Sequence, residues 1–409
     1  MFEKYLNIHT VQEIRARSLV YFGCGAIQKM NDIAATLRGR GIQKVLLVTS
    51  KNAYKGSGAW EPTLAALAQN GLEYAHFDGV IPNPTTDNID DAVKMAKAFG
   101  ARAVIGIGGG SPIDVAKSVA ILLEYPNETG ESLYCYRFTP EKAVPIVAIN
   151  LTHGTGTECD RVAVASVAHK NYKPAIAYEC IYPEWSIDDP ELMMTLPPRH
   201  ILYTSIDAVN HVIEAATTTC TNPFAITLAR EVVALVYENL PKAMANPQDV
   251  EARYNLAYAA LLGGISFDNG FLHLTHALEH PLSAVKPSLT HGLGLAMLLP
   301  AVVETIYPVC SAVLADVLAP VLPGFHGDAS EARAAAQAVE AWLFRMGADH
   351  KLADEGFSQA DVARLTELTQ TTPSLPVLLS VAPVKTSPEQ VAKIYTDSLT
   401  PFPTSVEGL

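Results

Sequence analysis

From about residue 20 to residue 150, short apolar runs alternate with amphipathic stretches, and beyond about residue 190 that alternation stops. No other feature restricts the fold as strongly. Residues 44–49 read as a buried strand, 59–70 as a helix, 74–80 as a second strand, and 87–99 as a helix with Ile89, Val93 and Ala96 on one face. Residues 103–107 and 145–150 read as the third and fourth strands. Strands separated by helices pair in parallel, and the crossover helices cover both faces of the sheet. Later apolar residues recur at helical spacing, as in 225–239, 250–265 and 330–346, with no convincing strand. Pro183, Pro190, Pro197 and Pro198 cluster at the change. The expected fold class is an α/β N-terminal domain with a mostly parallel sheet, residues 1–190, followed by an all-α C-terminal domain, residues 191–409. Two units also suit a chain longer than one core usually supports.

The 42 acidic side chains outnumber the 29 basic ones, for a net charge of −13, and no run of Lys or Arg appears. That field repels a phosphate backbone, so nucleic acid is not an expected partner. The first ten residues carry Glu3 and lack the continuous apolar stretch of a signal peptide. Residues 292–303, the most apolar later segment, contain Pro300 and fall short of the roughly 20 residues of a membrane span. They read as a buried core helix, with no membrane partner expected. Six scattered cysteines without a CxxC fit reduced thiols and a cytoplasmic protein. The last ten residues, with Pro401 and Pro403, read as loosely held.

The third strand runs into Gly108-Gly109-Gly110-Ser111-Pro112-Ile113-Asp114. Glycines let a ligand approach the backbone, Ser111 is a helix cap, Pro112 suits a first helical position, and Asp114 falls where a capping box places an acid. The free N–H groups of such a helix start suit a pyrophosphate, although a plain tight turn has the same composition. This is not the GxGxxG fingerprint of an ordinary Rossmann domain. A second loop, Thr152-His153-Gly154-Thr155-Gly156-Thr157-Glu158, follows the fourth strand. Two such loops after successive strands are better evidence than one, because ligands of open α/β sheets sit at the carboxyl ends of the strands.

In the helical half Asp207 and His211 are spaced to share a helix face, but pairs like this arise by chance. The stretch from His273 to His291 is less ordinary: His273, His276, His280 and His291 fall within nineteen residues of a chain with 12 histidines in 409. A metal or proton-handling site explains this better than four packed imidazoles. His276 and His280 share a helix face, and Pro281, Pro287 and Thr290 suggest a loop that delivers His291 to the next helix. Imidazoles with one carboxylate and no thiolate suit Fe(II) or Zn(II) and leave a coordination position open for a substrate oxygen.

As a set, GGGSPIDVAK, THGTGTE, DAVNHVIEA and HLTHALEHPLSAVKPSLTHG resemble the iron-containing (group III) alcohol dehydrogenases. The resemblance starts at Phe22-Gly23-Cys24-Gly25-Ala26, includes Pro82-Asn83-Pro84-Thr85, and extends to about Pro300. It implies a dehydroquinate synthase-like fold with the active site between the two domains. It also implies Asp207, His211, His276 and His291 as metal ligands, a choice of His276 over His280 that spacing does not make. His280 matches a histidine near the nicotinamide, either passing a proton toward solvent or orienting its neighbours. Gly109, Gly110 and Ser111 match the pyrophosphate loop, Asp114 its neighbour, Thr152 and Thr155 further cofactor contacts, and Lys173 a ribose contact. His273 matches no ligand and reads as packed or solvated.

The chain departs from the pattern after the first strand, where many members carry an acid and this one reads Thr49-Ser50-Lys51-Asn52. Ser50 and Lys51 accept a 2′-phosphate that an acid repels, unless Lys51 is merely solvated. The expected cofactors are therefore NAD(P), with NADP favoured, and one divalent metal, Fe(II) first and Zn(II) as the alternative. His153 and Cys159-Asp160 stand where smaller or uncharged residues are usual, and His153 is a candidate second titrating group. The expected function is a metal-dependent alcohol dehydrogenase or aldehyde reductase moving a hydride between NAD(P) and a small alcohol or aldehyde. The alternatives are a glycerol dehydrogenase-like polyol enzyme, a dehydroquinate synthase-type lyase and, from another class, a metal-dependent hydrolase. A homo-oligomer, a dimer or larger, is expected from the apolar helical half.

Overall fold

A computed structural model describes residues 13–403. Its strands are β1 (Leu19–Phe22), β2 (Lys44–Ser50), β3 (Glu73–Val80), β4 (Ala103–Gly108), β5 (Ile146–Asn150), β6 (Val162–Val164), β7 (Ala175–Ala177) and β8 (Trp185–Asp188). Six form one sheet in the order β1-β8-β5-β4-β2-β3, every pairing parallel, while β6 and β7 make a separate antiparallel pair. The four expected strands are β2 to β5. The others span only three or four residues, too few for their apolar pattern to stand out from a loop.

Burial on both faces explains why the central strands are apolar without alternation. Val45 and Leu47 of β2 pack with Ile33, Leu37 and Leu67 on one face, and Leu46 and Val48 pack with Ile89, Val93 and Val119 on the other. From β2 the chain goes to β3 on one side and then returns to β4 on the other. A crevice opens at such a reversal, outside the carboxyl ends of the strands.

No strand follows Asp188 among the described residues; the chain continues in helices from Pro198. The helix Val250–Gly270 runs beyond the expected 265, and Pro281 lies inside the helix Leu274–Val285 rather than ending it. Burial of Leu274, Ala277, Leu278 and Leu282 in the helical core outweighs the lost backbone bond. Residues 292–303 belong to a longer helix, His291–Val317. By length and composition it is able to cross a membrane; here it is a core helix, with Leu293, Met297 and Val302 buried among its neighbours.

The loosely held tail is corrected at Phe402, which is buried under the Arg333 guanidinium and whose N–H donates to Glu340 Oε2 at 2.9 Å. The expectations for the first ten residues and for 404–409 lie outside the described residues.

Candidate functional site

The glycine loop leaves β4 and enters the helix Gly110–Glu124, but not through the expected cap. Gly109 is the N-cap, the helix already begins at Gly110, and no side chain caps it. Ser111 and Pro112 therefore lie within the first turn. Asp114 is turned away to the second loop, accepting from Thr157 Oγ1 at 2.8 Å and from Val164 N at 3.0 Å. Burial pushes its carboxyl up to about 6. The helix start therefore keeps N–H groups that no side chain satisfies, the condition for receiving an anion. Close packing fixes the loop: a Cβ on Gly109 would lie 2.7 Å from Thr152 Cγ2, and one on Gly110 would lie 2.9 Å from Thr155 Cγ2.

One residue that the sequence reading missed joins these loops. Lys117 is fully buried, and its ammonium donates to Thr157 Oγ1 at 2.8 Å, Asp160 Oδ1 at 2.9 Å and Val162 O at 2.7 Å. Asp160 is thereby half of an internal ion pair, and Cys159 is a packed thiol donating to Gly156 O at 3.0 Å. Ser50 ends β2, the strand that pairs with β4.

Asp207, His211 and Glu214 recur at positions i, i+4 and i+7 of the helix Pro198–Thr217, so all three share one face. Pro198 at the first helical position and an almost wholly buried circumference fix that helix. His276 and His280 come from the helix Leu274–Val285, and His291 opens the next helix, as the loop reading expected. Gly292 beside it allows close approach to the Asp207 helix, since a Cβ there would meet Tyr203 O at 2.0 Å.

Three imidazoles converge on one carboxylate oxygen. Asp207 Oδ1 lies 3.3 Å from His211 Nε2, 3.5 Å from His276 Nε2 and 3.8 Å from His291 Nε2. These separations are loose for hydrogen bonds, and Asp207 Oδ1 and His276 Nε2 are buried with no such bond, an arrangement costly without a cation between them. The donor set and the orphaned atoms together fit a divalent ion.

Two buried carboxylates that the sequence reading also missed stand behind the imidazoles. Glu214 Oε1 accepts from His276 Nδ1 at 2.7 Å and from His276 N at 3.1 Å, and Glu279 lies against His291 Nδ1. Each turns an Nε2 toward Asp207, the usual support of a metal-binding histidine. Burial opposes ionisation throughout, yet Glu214 and Asp207 push His276 up to about 10, and the imidazoles hold Asp207 and Glu279 below the usual carboxylate range. An ion held at His276 Nε2 would require that nitrogen to be unprotonated.

Lys173 faces Glu279 at 3.3 Å, and its carbonyl accepts from His280 Nδ1 at 2.8 Å. A carbonyl only accepts, so the His280 proton sits on Nδ1 and Nε2 is left as an acceptor. Burial, reinforced by Lys173, holds His280 well below its ordinary value. His273 is packed, as expected, with Nε2 on Thr217 Oγ1 at 2.8 Å.

His153 is not a titrating group facing ligand. It is fully buried, Arg253 Nη1 donates to its Nε2 at 3.0 Å, and burial, reinforced by Arg253, pulls it down to about 3.

Gly110, Ser111, Asp114, Thr155, Lys173, Asp207, His211, His276, His280 and His291 all border one cavity of about 330 Å³; Ser50, Gly109 and Thr152 lie outside its lining. A family model for iron-containing alcohol dehydrogenases matches residues 18–190, and one for the C-terminal part of the Fe-containing alcohol dehydrogenase family matches 201–399. The chain belongs to the iron-containing alcohol dehydrogenase family.

Within that family it is 54% identical to a long-chain primary alcohol dehydrogenase of Thermoanaerobacter ethanolicus over 97% of this chain and 100% of the relative. It is 32% identical to a 1,3-propanediol dehydrogenase of Klebsiella pneumoniae over 85% and 89% of the two chains. An archaeal halo-thermophilic alcohol dehydrogenase from a Red Sea brine pool superposes with a TM-score of 0.88 at 25% identity, covering 96% and 100%. The expected dehydroquinate synthase-like fold is the fold of this family, and the chain is an alcohol dehydrogenase oxidoreductase.

Proposed function

We propose that this iron-containing alcohol dehydrogenase interconverts primary alcohols, long-chain ones included, with their aldehydes, using NADP in preference to NAD and one Fe(II) in preference to Zn(II). The observation that carries the reading is the convergence of three Nε2 atoms on Asp207 Oδ1 at the end of the cavity that also meets the glycine loop. Asp207, His211, His276 and His291 would hold the ion, while Gly109, Gly110 and Ser111 receive the pyrophosphate, flanked by Thr152, Thr155, Asp114 and Lys173. When bound, the ion supplies a Lewis acid that makes the alcohol more acidic, and the nicotinamide supplies the hydride acceptor.

Glu214 and Glu279 keep the imidazoles oriented, while Asp207, His211 and His276 are themselves buried. His280, its Nδ1 proton committed to the Lys173 carbonyl, offers Nε2 as a hydrogen-bond acceptor, either passing the alcohol's proton toward solvent or orienting its neighbours. Long-chain alcohols are supported by the relative that shares 54% of its residues and by the apolar wall of Val164, Ile176, Phe267, Leu272 and Leu378. NADP is supported by Ser50 and the exposed Lys51, with no acid beside them, next to the crevice between β2 and β4.

Self-association is supported by β1, an uncharged LVYF strand at the sheet edge, whose Phe22 packs on the partly exposed rings of Tyr254 and Tyr258. His276→Ala tests the reading: metal analysis of the purified variant should find no bound ion, and turnover should be lost. A metal-free His276→Ala protein with full activity would sink it.

A further inference from the structure

Strained backbone is concentrated on the wall of the cavity. Among the described residues five non-glycines have positive φ, and four of them, Asn83, Tyr136, Phe271 and Ser374, line this cavity from separate stretches of chain. Asparagine tolerates that conformation. Phe271, at φ 64° and ψ 175°, occupies a region open essentially to glycine alone. A glycine there would satisfy the backbone with less strain, so the cost of keeping a phenylalanine points to work done by its ring.

The rim residues differ in how they are held. Tyr136 Oη donates to the carbonyl of Ala175, and Ala175 N donates to Ser374 Oγ at 3.0 Å, so both are fastened to β7. Phe271 is 39% exposed, and its ring lies 6.0 Å beneath the Arg161 guanidinium. Arg161 is itself held by Asp268 at 3.4 Å and Glu179 at 2.6 Å. One helical turn inward, Phe267 packs against His211 with ring centroids 4.6 Å apart. Phe271, Phe267, Leu272, Val377 and Leu378 thus share the cavity wall with the Asp207 cluster, which offers an apolar path for an alkyl chain.

The geometry points to Phe271 as the residue that sets chain-length preference, its ring closing the outer end of the path over the alkyl chain of a primary alcohol. This rests on the alcohol dehydrogenase reading. Each methylene taken from water should raise kcat/KM by about fourfold until the ring is reached and covered. Replacing the ring by hydrogen removes that cover and relaxes the backbone.

The experiment compares wild type with Phe271→Gly in steady-state kinetics from ethanol to 1-decanol, alongside melting temperatures of both proteins with the same alcohols, a binding readout that needs no turnover. Val309→Ala, on a remote exposed surface, serves as control. The expected result is a variant that melts no lower than wild type and whose KM for the longest alcohols rises at least tenfold with kcat retained, flattening the dependence on chain length. An unchanged dependence, or an equal loss at every length, would overturn the assignment of Phe271. Chain-length-dependent thermal stabilisation that Phe271→Gly loses, in a protein with no dehydrogenase turnover, would keep the assignment and reject the activity. No turnover together with no such stabilisation would reject both.

Discussion

On the sheet side of the cavity the groups proposed to meet the dinucleotide are backbone N–H donors at the uncapped helix start beside Gly110 and Ser111, where Gly109 and Gly110 pack closely on Thr152 and Thr155. On the helical side they are side chains from three helices, and two of the imidazoles are each backed by a buried carboxylate. Backbone donors need space and the right φ and ψ, so damage there should come from added bulk. Side-chain ligands need orientation, so damage there should come from losing a partner that never touches the substrate. Each side therefore has its own way to fail.

The largest effect is expected at the second kind. Glu214→Gln keeps the size but weakens the hold on His276, and metal affinity in a competitive chelator titration should fall about 10–100-fold. An unchanged affinity would mean that Glu214 merely packs.

On the sheet side Ser50→Asp should lower kcat/KM for NADP by about 10–100-fold while sparing NAD, since an acid repels a 2′-phosphate and a charged hydrogen bond is lost. Gly110→Ala forces a methyl to 2.9 Å from Thr155 Cγ2. Overpacking of this kind should raise KM for the dinucleotide about tenfold without changing metal content. If Gly110→Ala lost metal, or Glu214→Gln impaired dinucleotide binding alone, the contrast between the two sides would be broken.

The smallest effect belongs to neither side. His153 folds neutral at about 3 against its ordinary 6.5, so the unfolded chain binds the extra proton between those values. Its contribution is present above pH 6.5 and lost as pH falls, about 1 kcal/mol between pH 6.5 and 5.5. His153→Gln keeps an acceptor for Arg253, and its melting temperature should fall less steeply with acid than that of wild type.

The same contrast explains what was legible in the sequence. The glycine loop is contiguous, so strand, turn and helix announce themselves over a dozen residues, although the cap is at Gly109 and not at Ser111. The histidines were visible as a crowd, but which of them converge on Asp207 depends on how three helices pack. Glu214 and Glu279 were invisible as orienting groups because a carboxylate on a helix is ordinarily solvated. Lys117, inside the same motif, was passed over for the same reason; only burial shows it to be a joint between the two loops. The short strands β1 and β8 were missed because β8 forms only between β1 and β5, contacts between residues far apart in sequence.

The central claim is that one ion at the Asp207 cluster makes this cavity catalytic. It is tested most directly by stripping the protein with a chelator, reloading it with Fe(II) or Zn(II) under exclusion of air, and following reduced-nicotinamide absorbance with 1-octanol and NADP or NAD. The account predicts no turnover in the stripped protein, recovery in proportion to the ion bound, and a faster rate with NADP. Undiminished turnover in protein shown to hold no ion would contradict it.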